Sequence, residues 1–92
     1  MKSTLKIKVT HASGLHARPA SLFVQTANKY ESEILVQNLT ETSDCVNAKS
    51  ILNVLTLGVM QDNEIEITAE GDDADKAIED LKSLIDDEFG EE

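Results

Sequence analysis

Leu5, Ile7 and Val9 alternate with Lys6 and Lys8 over residues 4–9, which predicts a strand with one apolar and one wetted face. The period then changes. Ala20, Phe23, Val24, Ala27 and Tyr30 recur at helical spacing, so a helix is predicted over residues 17–29 with its stripe towards a core. Two more strands are predicted at 33–39 and 44–46, joined by the polar turn Thr40-Glu41-Thr42-Ser43. A short helix over 51–57 stops at Gly58, which suits a left-handed C-terminal position. Alternation returns over 64–69, with Ile65 and Ile67 inward. The segment 73–87 carries the stripe Ala74, Ala77, Ile78, Leu81, Leu84 and Ile85, with Asp72 or Asp73 as its N-cap. The order β-α-β-β-α-β-α is that of an α+β two-layer domain, one sheet face under helices and the other in water. Periodicity assigns these faces but does not order the strands.

Composition narrows the function classes. At 92 residues there is room for one domain, expected over residues 1–89 with an acidic tail at 90–92. A domain of that size buries roughly 60–70% of the surface its unfolded chain exposes. The net charge of -10 opposes nucleic acid and anionic membrane surfaces over long range, and the acids gather in the second half of the chain. No apolar run is long enough to span a bilayer and no signal-peptide pattern is present, so a cytoplasmic protein without membrane insertion is expected. Cys45, the single cysteine, cannot form an intramolecular disulfide and is expected to pack as a small core residue beside Val46. There is no internal repeat and no metal-spaced cluster, so no metal site is assigned.

Chemistry concentrates in Gly14-Leu15-His16-Ala17-Arg18-Pro19-Ala20. Gly14 can make the turn after the first strand, and Pro19 falls in the first helical turn, where a missing N–H costs little. His16 therefore stands near the N-cap. The N–H groups of Ala17 and Arg18 would face anything attached to it, the helix dipole favours a dianion there, and Arg18 adds charge-assisted hydrogen bonds. The competing reading is an ordinary solvated or packing histidine. His11, the other histidine, has no adjacent arginine.

A second segment, Val46-Asn47-Ala48-Lys49-Ser50-Ile51-Leu52-Asn53-Val54-Leu55-Thr56-Leu57-Gly58, completes a pattern. Together the two motifs resemble the HPr family, histidine phosphocarriers of the bacterial phosphoenolpyruvate:sugar phosphotransferase system. The resemblance implies an open-faced β-sandwich: a four-stranded antiparallel sheet covered on one face by two long helices, with the short helix near the active centre. It implies that His16 carries phosphate, through Nδ1, received from phosphorylated enzyme I and yielded to a sugar-specific acceptor of a permease. No bound cofactor is implied, and the protein is then a carrier rather than a free-standing enzyme. It further implies that Ser50 is modified by a kinase/phosphorylase, with a transcription regulator as a further partner. Pro19, Lys49, Ile51, Leu52 and Leu55 match the partner-binding face. Read from the residues alone, Ser50 is also an ordinary N-cap and the leucines are scattered exposed residues. The connection at 38–44 has no glycine, unlike the tight turn usual in the family, which leaves the local register open. A regulatory or nitrogen-type paralogue, acting as a phosphorylation-dependent binding module, shares the same motifs.

Overall fold

The computed structural model describes residues 1–90. Its strands are β1 (Lys2–Lys8), β2 (Glu33–Asn38), β3 (Val46–Asn47) and β4 (Glu64–Glu70), and its helices α1 (Ala17–Ala27), α2 (Ile51–Thr56) and α3 (Ala74–Asp86). A 3-10 turn, Glu88–Gly90, follows α3. The element order is the one the periodicity predicts, and the strands form one antiparallel sheet ordered β1-β4-β2-β3. The last strand in sequence thus lies between the first and second.

Register follows from burial. On the inner face Leu5 lies opposite Ile67 and Ile7 opposite Ile65, while β2 sets Val36 opposite Ile67 and Ile34 opposite Ala69. Phe23 and Ala27 from α1 and Ala77, Leu81 and Ile85 from α3 close over this face. On the wetted face Lys2, Lys6 and Lys8 stand opposite Glu70, Glu66 and Glu64. Such cross-strand pairs contribute roughly 0.2–1 kcal/mol each, whereas a one-residue slip would turn every inner side chain into water, so burial decides the pairing.

The glycine-free connection is closed by side chains. Asn38 is fully buried; its Nδ2 donates to the Leu57 carbonyl at 3.1 Å and to Asn63 Oδ1 at 3.2 Å, and its Oδ1 accepts from the Glu41 N–H at 3.2 Å. Ser43 Oγ accepts the Asn38 N–H at 2.9 Å, and Thr42 takes a left-handed φ of 54° where a glycine would be usual. These bonds set Leu35 opposite Asn47 and Val36 opposite Val46.

Two expectations are corrected and a third is refined. Cys45 is exposed, because neighbours in an extended chain point to opposite faces and Val46 takes the inward one; its thiol lies 3.6 Å from Gln37 Oε1. Gly90 belongs to the 3-10 turn rather than to a tail, since Phe89 is buried beneath it; Glu91 and Glu92 lie outside the described residues. Asp73 occupies the N-cap position of α3 without a capping bond. Its carboxylate instead accepts from the Ser32 hydroxyl, from the Ser32 N–H at 3.0 Å and from the Glu31 N–H at 2.9 Å, joining the start of α3 to the entry of β2.

Those donors, the Ser32 hydroxyl first, hold the Asp73 carboxyl below its ordinary pKa of 3.8. A depressed carboxylate contributes stability that is full above the ordinary value and is lost as pH falls through the lowered one. Acid unfolding should therefore show a component below pH 3.8 that Ser32→Ala reduces. Equal acid limbs for wild type and Ser32→Ala, measured by denaturant unfolding at each pH, would refute the coupling.

Candidate functional site

Gly14, Leu15 and His16 are placed by contacts with the segment that follows α2. The Gly14 N–H donates to the His11 carbonyl at 2.9 Å, closing a turn, and the Leu15 N–H donates to the Val59 carbonyl at 3.0 Å. Gly14 takes φ +61°, and a Cβ there would lie 2.1 Å from the Val59 oxygen. Only a residue without a side chain fits. Leu15 is fully buried, so it anchors the chain one residue before His16, which is half-buried in extended backbone (φ -128°, ψ 162°) as the N-cap of α1. The His16 side chain makes no capping hydrogen bond.

The helix start differs from the regular one expected. Ala17 is left-handed, with φ 51°, a conformation costing a non-glycine residue about 1–2 kcal/mol. A left-handed residue beside right-handed ones curls successive N–H groups into an anion-binding concavity, to which the helix dipole adds. Arg18 is exposed and makes no ion pair among the described residues. Pro19 is buried, so it shapes the first turn instead of offering a contact surface.

Ser50 caps α2 as its position implies: its Oγ accepts the Asn53 N–H at 3.3 Å, and it is half-buried in extended backbone. Lys49, expected on the partner face, spends its ammonium internally, donating to the Tyr30 carbonyl at 2.6 Å. The Lys49 carbonyl in turn accepts from Asn28 Nδ2 at 3.2 Å. The start of α2 is thereby tied to the end of α1. Tyr30 continues this chain to α3: its hydroxyl donates to Asp80 at 2.6 Å, which raises its pKa to about 12, since the bond and the nearby carboxylate both oppose ionisation.

With Val54 and Leu57 turned inward, Ile51, Leu52 and Leu55 are left outside; Leu52 is 73% exposed. The sequence reading missed Met60, which is 61% exposed and whose Cα would lie 2.9 Å from a Gly14 Cβ. Its signal was alternation with Val59, the residue bonded to Leu15. Met60 is thus an exposed apolar residue whose main chain lies against Gly14 in the His16 loop. Among the described residues no group of three or more His, Cys, Asp or Glu is arranged for a metal ion, and no helix is long and apolar enough to cross a membrane.

The family model for the PTS HPr component phosphorylation site matches residues 3–87. The phosphocarrier protein HPr of Haloferax volcanii is 43% identical over 86% of this chain and 88% of its own length. The multiphosphoryl transfer protein of Vibrio cholerae is 44% identical over 97% of this chain, which spans only 22% of that longer protein. In three dimensions the chain is similar to the crystal structure of HPr-C-His from Thermoanaerobacter tengcongensis, with TM-score 0.92, 48% identity and 98% of both chains covered. A match over nearly the whole sequence, a shared open-faced sandwich and a histidine at the head of α1 agree: the chain belongs to the HPr family of the phosphotransferase system.

Proposed function

We propose that this chain is a phosphoryl carrier of the phosphotransferase system, in which His16 takes the group from the phosphohistidine of enzyme I and yields it to a sugar-specific acceptor. The observation that carries this reading is the half-exposed His16 ring at a helix start where Ala17 is left-handed and Arg18 is exposed and unpaired among the described residues. A neutral ring nitrogen attacks phosphorus in line, forming one P–N bond as the donor's P–N bond breaks and its electron pair returns to the donor imidazole. Both sides are phosphoramidates, so transfer is close to reversible. What remains for the protein is positioning and charge neutralisation, supplied by Arg18 and by the Ala17 and Arg18 N–H groups. Ile51, Leu52, Leu55 and Met60 offer an apolar docking patch, and the site of action is the cytoplasm, where enzyme I would meet it. The names of the relatives favour the carrier over the regulatory paralogue.

The direct test is to charge the protein with phosphoenolpyruvate and enzyme I and to map the acid-labile phosphate. Label on the His16 peptide supports the proposal; label on His11, or none, refutes it.

Arg18→Ala should slow transfer roughly ten- to a hundredfold, the equivalent of charge-assisted bonds of about 1.5–3 kcal/mol made mainly in the transition state. Its melting temperature should hardly move, because the guanidinium holds nothing together among the described residues. A large fall in melting temperature with normal transfer would make Arg18 structural.

Ser50 is proposed as the regulatory position, modified by a kinase/phosphorylase and read by a transcription regulator. Aspartate caps a helix as well as serine does, so Ser50→Asp should fold normally, while the added charge at the docking edge slows His16 phosphorylation roughly tenfold. Ser50→Ala loses the bond to the Asn53 N–H and about 1 kcal/mol of stability, with transfer nearly unchanged. Transfer kinetics beside circular dichroism decide: a folded Ser50→Asp that is charged at the wild-type rate removes the switch.

A further inference from the structure

His11 closes the turn before His16 in two ways. Its Nδ1 accepts the Ser13 N–H at 3.0 Å, and its main-chain carbonyl accepts the Gly14 N–H at 2.9 Å. The imidazole thus plays the part an aspartate or asparagine side chain plays in an Asx turn. The bond to Nδ1 fixes the ring's direction. That ring meets Phe89 edge to face, with centroids 5.7 Å apart and planes at 87°. Phe89 is itself buried, so the last turn of the fold backs the ring. From the His11 turn the chain passes straight to Gly14, pressed on Val59, and then to Leu15 and His16.

We propose that His11 is a positioning residue for phosphoryl transfer: it sets the entry of the His16 loop through Ser13 and Gly14, and Phe89 fixes the ring that does so. The inference rests on the carrier reading above. His11 never touches the phosphoryl group. Its effect reaches His16 because in-line transfer tolerates little displacement of the attacking nitrogen, and the turn fixes where that segment begins.

Three variants separate the bond from the packing. His11→Asn supplies an Oδ1 to the Ser13 N–H without the ring; His11→Phe keeps the ring against Phe89 without the acceptor; His11→Ala removes both. Loss of one hydrogen bond should lower kcat for acceptance from enzyme I about three- to tenfold in His11→Ala and His11→Phe, with KM unchanged, and His11→Asn should restore kcat. Amide exchange at Ser13 and Gly14 in the uncharged protein should quicken in the first two variants and return to normal in His11→Asn. Wild-type kcat in folded His11→Phe, or rescue by His11→Phe instead of His11→Asn, would overturn the proposal. If His11→Ala does not fold, the Asn and Phe variants carry the comparison. A wild-type protein that accepts no phosphate would refute the carrier reading and with it the role in transfer; unchanged exchange in His11→Phe would refute the turn closure itself.

Discussion

His16→Ala is expected to abolish acid-labile phosphorylation by phosphoenolpyruvate and enzyme I, down to background and not merely by a factor. The phosphoryl group needs a ring nitrogen at the head of α1, and alanine leaves none there. His11 cannot substitute. Its Nδ1 is engaged by the Ser13 N–H and its ring is set against Phe89. His11→Asn, which keeps that turn bond, should still reach full occupancy at His16 and serves as the control. Stability should change by no more than about 0.5 kcal/mol, because the half-exposed His16 makes no capping bond to lose. Stoichiometric labelling of a folded His16→Ala protein would end the assignment.

Gly14→Ala should have the largest effect on the fold around the site. Its Cβ would stand 2.1 Å from the Val59 oxygen and 2.9 Å from Met60 Cα, and these are main-chain atoms that cannot rotate away. Left-handed backbone at φ +61° adds about 1–2 kcal/mol, and relief of the overlap about 1–3 kcal/mol more. The bond from the Leu15 N–H to Val59 is the contact that must stretch, so His16 moves and transfer falls with stability. Gly58 separates the two contributions. It has a similar φ of +58° with nothing within 4 Å of a Cβ, so Gly58→Ala should lose only the backbone part, about 1–2 kcal/mol, and keep transfer. Equal losses for the two variants in urea unfolding would show that the approach of Gly14 to Val59 is not what constrains the loop.

Much of the site was legible because its logic is local. Glycine for the turn, histidine at the cap, arginine beside it and proline in the first turn each answer a requirement of a few consecutive residues. The structure keeps all four where that logic puts them. The Ser50 cap and the outward Leu52 were legible for the same reason, since a six-residue helix with Val54 buried has few ways to turn. Less was legible where a side chain is spent on a distant segment. Lys49 matched the partner-binding face, yet its ammonium is spent on the Tyr30 carbonyl; Asp73 stands at the N-cap as expected, yet its carboxylate bonds the loop before β2. Cys45 read as core because its position beside Val46 did not say which of the two faced inward.

Periods and motifs along the chain were enough for the element order, for the inward faces of β1, β4, α1 and α3, and for the residue types at the head of α1. Each is written in a period or a motif shorter than one element. Three features emerge only in the folded molecule: β4 lies between β1 and β2, Asn38 joins the β2 end to the segments on both sides of Gly58, and Val59 and Met60 lie against Gly14. A repeat of two or 3.6 residues says which way a side chain points. Which segment it meets depends on closing loops and packing helices over the same sheet, and that free energy belongs to pairs of segments far apart in the chain.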